Sequence, residues 1–151
     1  MHINPDHFLE THAGRVTTRE RNEVAWEQCF HALDLALHNA NLGTKVYVMI
    51  GSQGAGKSTW VLKNSMTLAE AIVFDAILVK RSERKPIIDA AKAHGVQLVA
   101  VWLKTPLELC IARNAKRPSD EIVSERAILN VYAAIEPPSL EEGFSEIIEV
   151  D

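Results

Sequence analysis

Hydrophobic and polar positions in the first part of the chain follow the period of an amphipathic helix. Five apolar side chains recur at spacings of three and four residues, which would place them on one helix face. They are Trp26, Phe30, Leu33, Leu37 and Ala40. Thr18 is expected to cap this helix, and Gly43 is expected to supply its left-handed stop. The preceding residues 1–16 are polar and irregular, so no element is predicted there.

Further along the chain the pattern changes to short apolar runs, which predict buried strands. These runs are residues 46–50, 71–75, 96–103 and 147–150. Helical segments lie between them, and this alternation predicts a parallel sheet with helices on both faces. We expect one α/β domain over residues 1–151, a three-layer sandwich of the P-loop NTPase kind with about four strands. Residues 1–44 would form an N-terminal extension dominated by the amphipathic helix.

Local start and stop signals place the helices between these strands. Residues 59–66 contain no Gly or Pro that would interrupt a helix. Ser82 is expected to cap a second helix, which stops at Gly95. Thr105 opens a capping box with proline at the first helical position, so another helix is predicted to begin there. A last helix is expected over about residues 121–135.

Composition narrows the class of protein. The chain has 151 residues, 47% of them hydrophobic, and a net charge of −4. The length suits a domain with a real core, and no apolar run is long enough to cross a membrane. The first residues lack the cationic and apolar parts of a signal peptide, so a cytoplasmic location is expected. Cys29 and Cys110 have no metal-binding or redox spacing and are expected to be buried thiols.

The most informative motif fits Gly-x-x-x-x-Gly-Lys-[Ser/Thr] and directly follows the apolar run at 46–50. Glycines let successive backbone N–H groups point at one anion, a lysine adds a positive charge for the β- and γ-phosphates, and a hydroxyl can bind Mg²⁺. The candidate cofactor-binding residues are Gly51, Ser52, Gln53, Gly54, Ala55, Gly56, Lys57, Ser58 and Thr59. The motif predicts a site for a nucleoside triphosphate, with Lys57 exposed when no nucleotide is bound.

Asp75 is the first acidic candidate for chemistry, because it ends a predicted strand at the sheet edge where ligands bind. Two functional roles are open. Asp75 could hold Mg²⁺ through water beside Ser58, or it could take the proton of an acceptor hydroxyl as a general base. A purely structural role, as a turn or helix cap, is the third interpretation.

Arg113 and Arg117 are candidates for a lid. They are four residues apart and would share a face if their helix continued that far, and Pro118 would end it. A guanidinium over the γ-phosphate neutralises charge on the transferred group. The alternative is a solvated helix end whose cations complement the helix dipole.

From about residue 46 to the end, the chain resembles polynucleotide-kinase-like P-loop kinases, a group near the zeta-toxin and small-molecule kinases and related to AAA-type ATP-binding proteins. Five segments occur in the family's order: residues 51–59, 74–75, 103–106, 113–118 and 142–144. The resemblance implies that residues 113–117 are the lid, with Arg117 on the ATP phosphates and Arg113 in support. It also assigns Lys57 to phosphate and Ser58 to Mg²⁺.

The chain departs from this family in one respect. Such kinases usually have a further strand before the one that corresponds to residues 71–75, and it supplies an Asp base and an Arg that grips the acceptor. Here only residues 60–70 lie between. Asp75 would then act as base, with Arg81 or Arg84 beside the acceptor, and the N-terminal helix is a candidate to fill the vacated space.

The leading hypothesis is an ATP- and Mg²⁺-dependent phosphotransferase with catalytic candidates Lys57, Asp75, Arg113 and Arg117 and metal candidates Ser58 and Asp75. The acceptor is a hydroxyl compound and could be a nucleic-acid end or a small molecule. Two other functions stay open: a nucleotide-binding switch or slow ATPase without a dedicated acceptor, and a toxin-like module that binds a protein. The sequence does not distinguish ATP from GTP.

Overall fold

The computed structural model describes residues 1–151 and contains a five-stranded, entirely parallel sheet. Its strands are β1 (His2–Ile3), β4 (Lys45–Ile50), β5 (Ile72–Asp75), β6 (Gln97–Leu103) and β7 (Glu146–Val150). They lie side by side in the order β1-β5-β4-β6-β7. A separate antiparallel hairpin joins β2 (Glu10–Thr11) to β3 (Gly14–Arg15). The α/β expectation is confirmed, but the predicted sheet was one strand too small.

The missing strand is β1, which falls in the segment where no element was predicted. It adds to the sheet edge beside β5, with His2 opposite Val73 and Ile3 opposite Phe74. The terminal ammonium of Met1 donates to Ala71 O at 2.7 Å. A strand of two residues carries almost no periodic signal, so its place in the sheet depends on long-range pairing that local patterning cannot detect.

Five helices flank the sheet: α1 (Arg19–His38), α2 (Lys57–Lys63), α3 (Arg81–Ala93), α4 (Leu107–Ala115) and α5 (Glu125–Ala133). Helices α1 and α3 bury apolar residues with alternate residues of the strands on one face. Cys110 of α4 and Ile128 of α5 pack with the intervening strand residues on the other face. Because successive side chains of a strand point to opposite faces of the sheet, the core consists of two layers, one on each face.

Several helix boundaries differ from the expected ones. Helix α1 is capped by Thr18 as predicted but ends at His38, five residues before Gly43. Helix α3 begins after Lys80, not at Ser82, because the carboxylate of Glu83 accepts a hydrogen bond from Lys80 N. Helix α5 is shorter than expected at both ends. Local signals therefore located these helices to within a few residues, and among the boundaries named here only the Thr18 cap lies where it was predicted.

The expected capping role of Thr105 is wrong. Pro106 is the residue before α4, and no side-chain hydrogen bond caps that helix. Thr105 instead donates a hydrogen bond from its hydroxyl to Ala55 O at 2.7 Å, across 50 residues of sequence.

Both cysteines are buried, as predicted, and burial raises the pKa of the Cys29 thiol to about 11. No helix of this structure has the length and apolar character needed to cross a membrane.

Candidate nucleotide-binding site

The loop at residues 51–59 connects the central strand β4 to helix α2. Strands β5 and β6 lie on opposite sides of β4, and this reversal of strand order opens a crevice at the carboxyl end of β4. Gly54 and Gly56 have φ angles of 77° and 99°, a conformation that glycine adopts readily. A Cβ at Gly54 would also clash with the carbonyl oxygen of Cys110 in α4. The motif's glycines are thus required by the backbone and by its packing.

Lys57 is folded back onto this loop. Its Nζ donates to Gly51 O at 2.9 Å and to Ser52 O at 3.0 Å, so the expectation of an exposed lysine is wrong. Burial lowers the pKa of Lys57, the nearby Asp75 opposes that shift, and Arg117 adds to it. The ammonium group therefore lies at the bottom of the loop, close to both Asp75 and Arg117.

Asp75 ends β5 as predicted and is only 1% exposed. Three side chains meet at its Oδ2 atom: Ser58 Oγ donates at 3.1 Å, His2 Nε2 at 2.9 Å and Asn4 Nδ2 at 3.4 Å. Burial by itself would raise the pKa of Asp75, but the hydrogen bond from His2 and the charge of Lys57 hold it below its ordinary value. Asp75 is therefore a carboxylate at neutral pH, in contact with the loop hydroxyl.

His2 and Asn4 were not singled out from the sequence. They lie 73 and 71 residues away from Asp75 along the chain and reach it only because β1 joins the sheet beside β5. A histidine and an asparagine in a polar N-terminal segment give no local signal of this contact.

The two lid arginines do not share a helix. Helix α4 ends at Ala115, so Arg113 belongs to it and Arg117 follows it. Arg113 Nη1 donates to Ala55 O at 3.3 Å, whereas Arg117 lines the cleft. Near the end of this helix Asn114 is buried, and its side chain makes two hydrogen bonds with the backbone of Val123. Both cations nevertheless lie beside the loop.

Arg84 cannot grip an acceptor, contrary to the expectation. It is fully buried, donates to the carbonyls of Leu78 and Val79, and forms a two-bond ion pair with Glu142 at 2.9 and 3.0 Å. It holds α3 against the segment before β7. Arg81 is exposed at the start of α3 and does not line the cleft.

A cleft of about 990 Å³ lies over the loop and has two walls. Its phosphate wall consists of residues 53–59 with Asp75 and Arg117. The N-terminal segment and α1 contribute a second part of the lining, here called the N-terminal wall, which consists of Asn4, Asp6, His7, Arg15, Asn22 and Trp26. The N-terminal segment thus contributes directly to the lining of the cleft.

Arg15 connects the N-terminal wall to the residues after the lid arginine. Its guanidinium pairs with Glu121 at 2.6 Å and with Asp6 and Glu10 at 3.4 Å each. Its backbone N–H donates to Asp120 Oδ2 at 2.7 Å. The hairpin β2-β3 and residues 117–123 therefore meet at one rim of the cleft.

The comparison with protein families gives a match to the model described as AAA domain, over residues 61–138. This chain belongs to the AAA domain family. The match covers about half of the chain and includes Asp75, Arg113 and Arg117, but it begins two residues after the loop motif. The motif and the AAA domain match are thus separate observations, and together they place the chain among the P-loop nucleotide-binding kinases and ATPases. No curated protein matches the chain.

Proposed function

We propose that this protein is an ATP- and Mg²⁺-dependent phosphotransferase that transfers a γ-phosphoryl group to a hydroxyl acceptor. The observation that carries the proposal is the 3.1 Å hydrogen bond from Ser58 Oγ to Asp75 Oδ2, at a loop that also contains Lys57. A loop hydroxyl beside a strand-end aspartate is the pair that holds Mg²⁺ in P-loop enzymes.

The residues at the loop fit a phosphate chain and a metal ion. The glycine-rich backbone offers N–H groups, Lys57 offers a positive charge, and Ser58 with Asp75 offers the oxygen ligands that Mg²⁺ prefers. When bound, Mg²⁺ would neutralise charge on the transferred phosphoryl group. Lys57 would leave the carbonyls of Gly51 and Ser52 and pair with phosphate oxygens.

Two arginines would complete the phosphate wall. Arg117, which lines the cleft beside Lys57, would stabilise negative charge on the γ-phosphoryl group, and Arg113 would hold the loop through Ala55 O. In the reaction the acceptor oxygen forms a bond to the γ-phosphorus, and the bond from that phosphorus to the bridging oxygen of ADP breaks. The hydroxyl proton leaves with a base or with water.

For Asp75 the geometry favours the metal over the general base. Its lowered pKa makes it a weak proton acceptor, and its Oδ2 already receives three hydrogen bonds. A carboxylate that stays ionised next to a hydroxyl ligand is suited to binding a divalent cation, directly or through water. We therefore assign Asp75 with Ser58 to Mg²⁺.

A slow ATPase or nucleotide switch is the second candidate, and one observation favours it. Only residues 64–71 separate α2 from β5, and they contain no strand that could carry an acceptor-gripping arginine. Without a bound acceptor, water would receive the phosphoryl group.

Acceptor dependence separates the two functions. Purified protein with Mg²⁺ and ATP labelled at the γ-phosphate is incubated with a panel of oligonucleotide ends and small hydroxyl compounds, and label in products is compared with released phosphate. The phosphotransferase proposal predicts transfer to at least one acceptor and loss of transfer in Lys57→Ala but not in the exposed-site control Lys63→Ala. If phosphate is released and no acceptor changes the rate of release or becomes labelled, the phosphotransferase proposal is refuted and the ATPase is supported.

A further inference from the structure

The hydrogen bonds to the Asp75 side chain all reach one of its two carboxylate oxygens. His2 Nε2, Asn4 Nδ2 and Ser58 Oγ lie 2.9, 3.4 and 3.1 Å from Oδ2. The other oxygen, Oδ1, receives no hydrogen bond from the protein, although the side chain is almost completely buried and lines the cleft. The protein therefore holds one oxygen of the carboxylate and leaves the other for a ligand.

The alternation of residues in the N-terminal segment brings His2 and Asn4 to this carboxylate. Strand β1 pairs in parallel with β5, and His2 lies opposite Val73, two residues before Asp75. Successive side chains of a strand point to opposite faces, so His2 shares a face with Asp75, whereas Ile3 is buried in the apolar core. A shift of the pairing by one residue would turn His2 away from Asp75.

Further contacts determine which groups of Asn4 and His2 face the carboxylate. Asn4 Oδ1 accepts a hydrogen bond from Asp6 N at 2.9 Å and caps the short 3₁₀ helix that follows, which leaves its NH₂ group for Asp75. The His2 ring packs edge-on against the ring of His7, with the ring centroids 5.1 Å apart. Because an ionised carboxylate can only accept hydrogen bonds, His2 Nε2 carries the proton that is donated.

The same arrangement leaves Ser58 able to bind a cation. Its hydroxyl gives its one hydrogen to Asp75 Oδ2, and the lone pairs of Oγ stay free. Lys57 does not occupy the carboxylate, because its Nζ donates to two carbonyl oxygens of the loop. In metal sites, carboxylate ligands are normally oriented by hydrogen bonds from residues that do not touch the metal. His2 and Asn4 stand in that relation to Asp75.

We propose that His2 and Asn4 are positioning residues for the divalent cation: by holding Asp75 at Oδ2, they keep Oδ1 oriented toward the cation that Ser58 Oγ also binds. This inference rests on the proposed function, in which Ser58 and Asp75 serve Mg²⁺. It makes the N-terminal segment part of the metal site without any contact to the nucleotide. Loss of either side chain should therefore weaken Mg²⁺ binding and leave the contacts of the loop with phosphate intact.

Binding of a non-hydrolysable ATP analogue tests this proposal without turnover. Isothermal titration at a series of Mg²⁺ concentrations gives the concentration at which Mg²⁺ produces half of its enhancement of analogue affinity. His2→Ala should raise this concentration about tenfold, since loss of a group that orients a metal ligand costs about 10- to 100-fold in metal affinity. Analogue affinity without Mg²⁺ should not change.

Two further variants test the hydrogen bonds themselves. His2→Gln retains an N–H donor and should recover most of the Mg²⁺ affinity that His2→Ala loses. Asn4→Ser keeps an oxygen for Asp6 N–H but has no amide to donate to Asp75, so it should raise the Mg²⁺ concentration by a smaller factor than His2→Ala.

Ile3→Val separates this role from support of the fold. It removes one methylene group from a buried position between His2 and Asn4, so it should lower the urea midpoint of unfolding and leave the Mg²⁺ concentration unchanged. An unchanged Mg²⁺ concentration in His2→Ala, an equal rise in Ile3→Val, or no recovery in His2→Gln would overturn the proposal. If His2→Ala does not fold, the comparison of Asn4→Ser with Ile3→Val decides in the same way.

The outcomes also distinguish this proposal from the proposed function. If Mg²⁺ does not enhance analogue binding to the parent, the assignment of Asp75 and Ser58 to Mg²⁺ fails together with the positioning role. If Mg²⁺ enhances binding equally in the parent and in His2→Ala, only the positioning role fails. Absence of phosphoryl transfer to every acceptor would refute the phosphotransferase and would not affect this binding measurement.

Discussion

The two walls of the cleft are constructed in different ways. The phosphate wall comes almost entirely from one run of consecutive residues, the loop 51–59, supplemented by Asp75 and Arg117. The N-terminal wall depends on contacts between distant parts of the chain, such as Met1 with Ala71, and Arg15 with Glu121. The walls meet at Asp75, which accepts hydrogen bonds from both sides.

The difference shows what holds each part of the site in place. The backbone of the loop is set by its own glycines, and its outside contacts come mainly from the neighbouring α4 region, as with Thr105 and Arg113 at Ala55 O. The N-terminal wall depends on pairing between segments that lie far apart in the sequence, and it contacts the phosphate wall at Asp75. We therefore expect changes in the phosphate wall to affect nucleotide chemistry, and changes in the N-terminal wall to affect local stability and, through Asp75, the metal site.

The largest expected effect is on turnover when Arg117 is removed. Arg117→Ala should lower the rate of phosphoryl transfer by about 10³-fold, because a guanidinium that stabilises the transferring group contributes mainly in the transition state. Nucleotide affinity should fall much less. Lys116→Ala, at an exposed neighbour outside the cleft, is the matched control. Equal rates in Arg117→Ala and the parent would show that Arg117 does not stabilise the transferred phosphoryl group.

Asp75→Asn tests the point where the walls meet. The Mg²⁺ concentration for half-maximal turnover should rise about 10- to 100-fold, since a carboxylate that supports the metal is lost. Asp34→Asn, on an exposed position of α1, should behave as the parent. If turnover fell while Mg²⁺ dependence and nucleotide affinity stayed the same, Asp75 would be a general base and the metal assignment would be wrong.

His2→Ala should affect the N-terminal wall more than the loop. Losing the 2.9 Å hydrogen bond to a buried carboxylate should lower the free energy of unfolding by about 1–2 kcal/mol. Urea unfolding measures this loss, and amide hydrogen exchange should speed up over residues 4–9. His12→Ala, in the exposed turn of the hairpin, provides the comparison. Faster exchange at residues 51–59 and not at residues 4–9 would show that His2 supports the loop and not the N-terminal wall.

Arg15→Ala gives the smallest expected effect. Its ion pairs are partly exposed, so we expect a loss of about 0.5 kcal/mol in the free energy of unfolding. Hydrogen exchange should rise at residues 117–123, which Arg15 contacts through Glu121 and Asp120. Arg19→Ala removes an exposed pair with Glu23 and should leave that segment unchanged. The same exchange pattern in both variants would show that Arg15 does not link the hairpin to these residues.

Sequence patterning predicted the parts of the molecule that are specified locally. The loop, the strand that ends at Asp75 and the helix capped by Thr18 follow from spacing and from turn chemistry within a few residues. Thr105 was misassigned because its hydroxyl has a partner, Ala55 O, that lies 50 residues away. The fifth strand and the contact of His2 with Asp75 were missed for the same physical reason, since parallel pairing across about 70 residues has no local signature.

The proposed function depends on nucleotide binding by the loop, which isothermal titration with a non-hydrolysable ATP analogue measures. We expect Mg²⁺-dependent binding to the parent and to Lys63→Ala. Binding to Lys57→Ala should be about a hundredfold weaker, because a charged hydrogen-bonding partner of the phosphates is removed. Equal affinity in Lys57→Ala and the parent, or no binding to the parent with Mg²⁺ present, would contradict the proposed function.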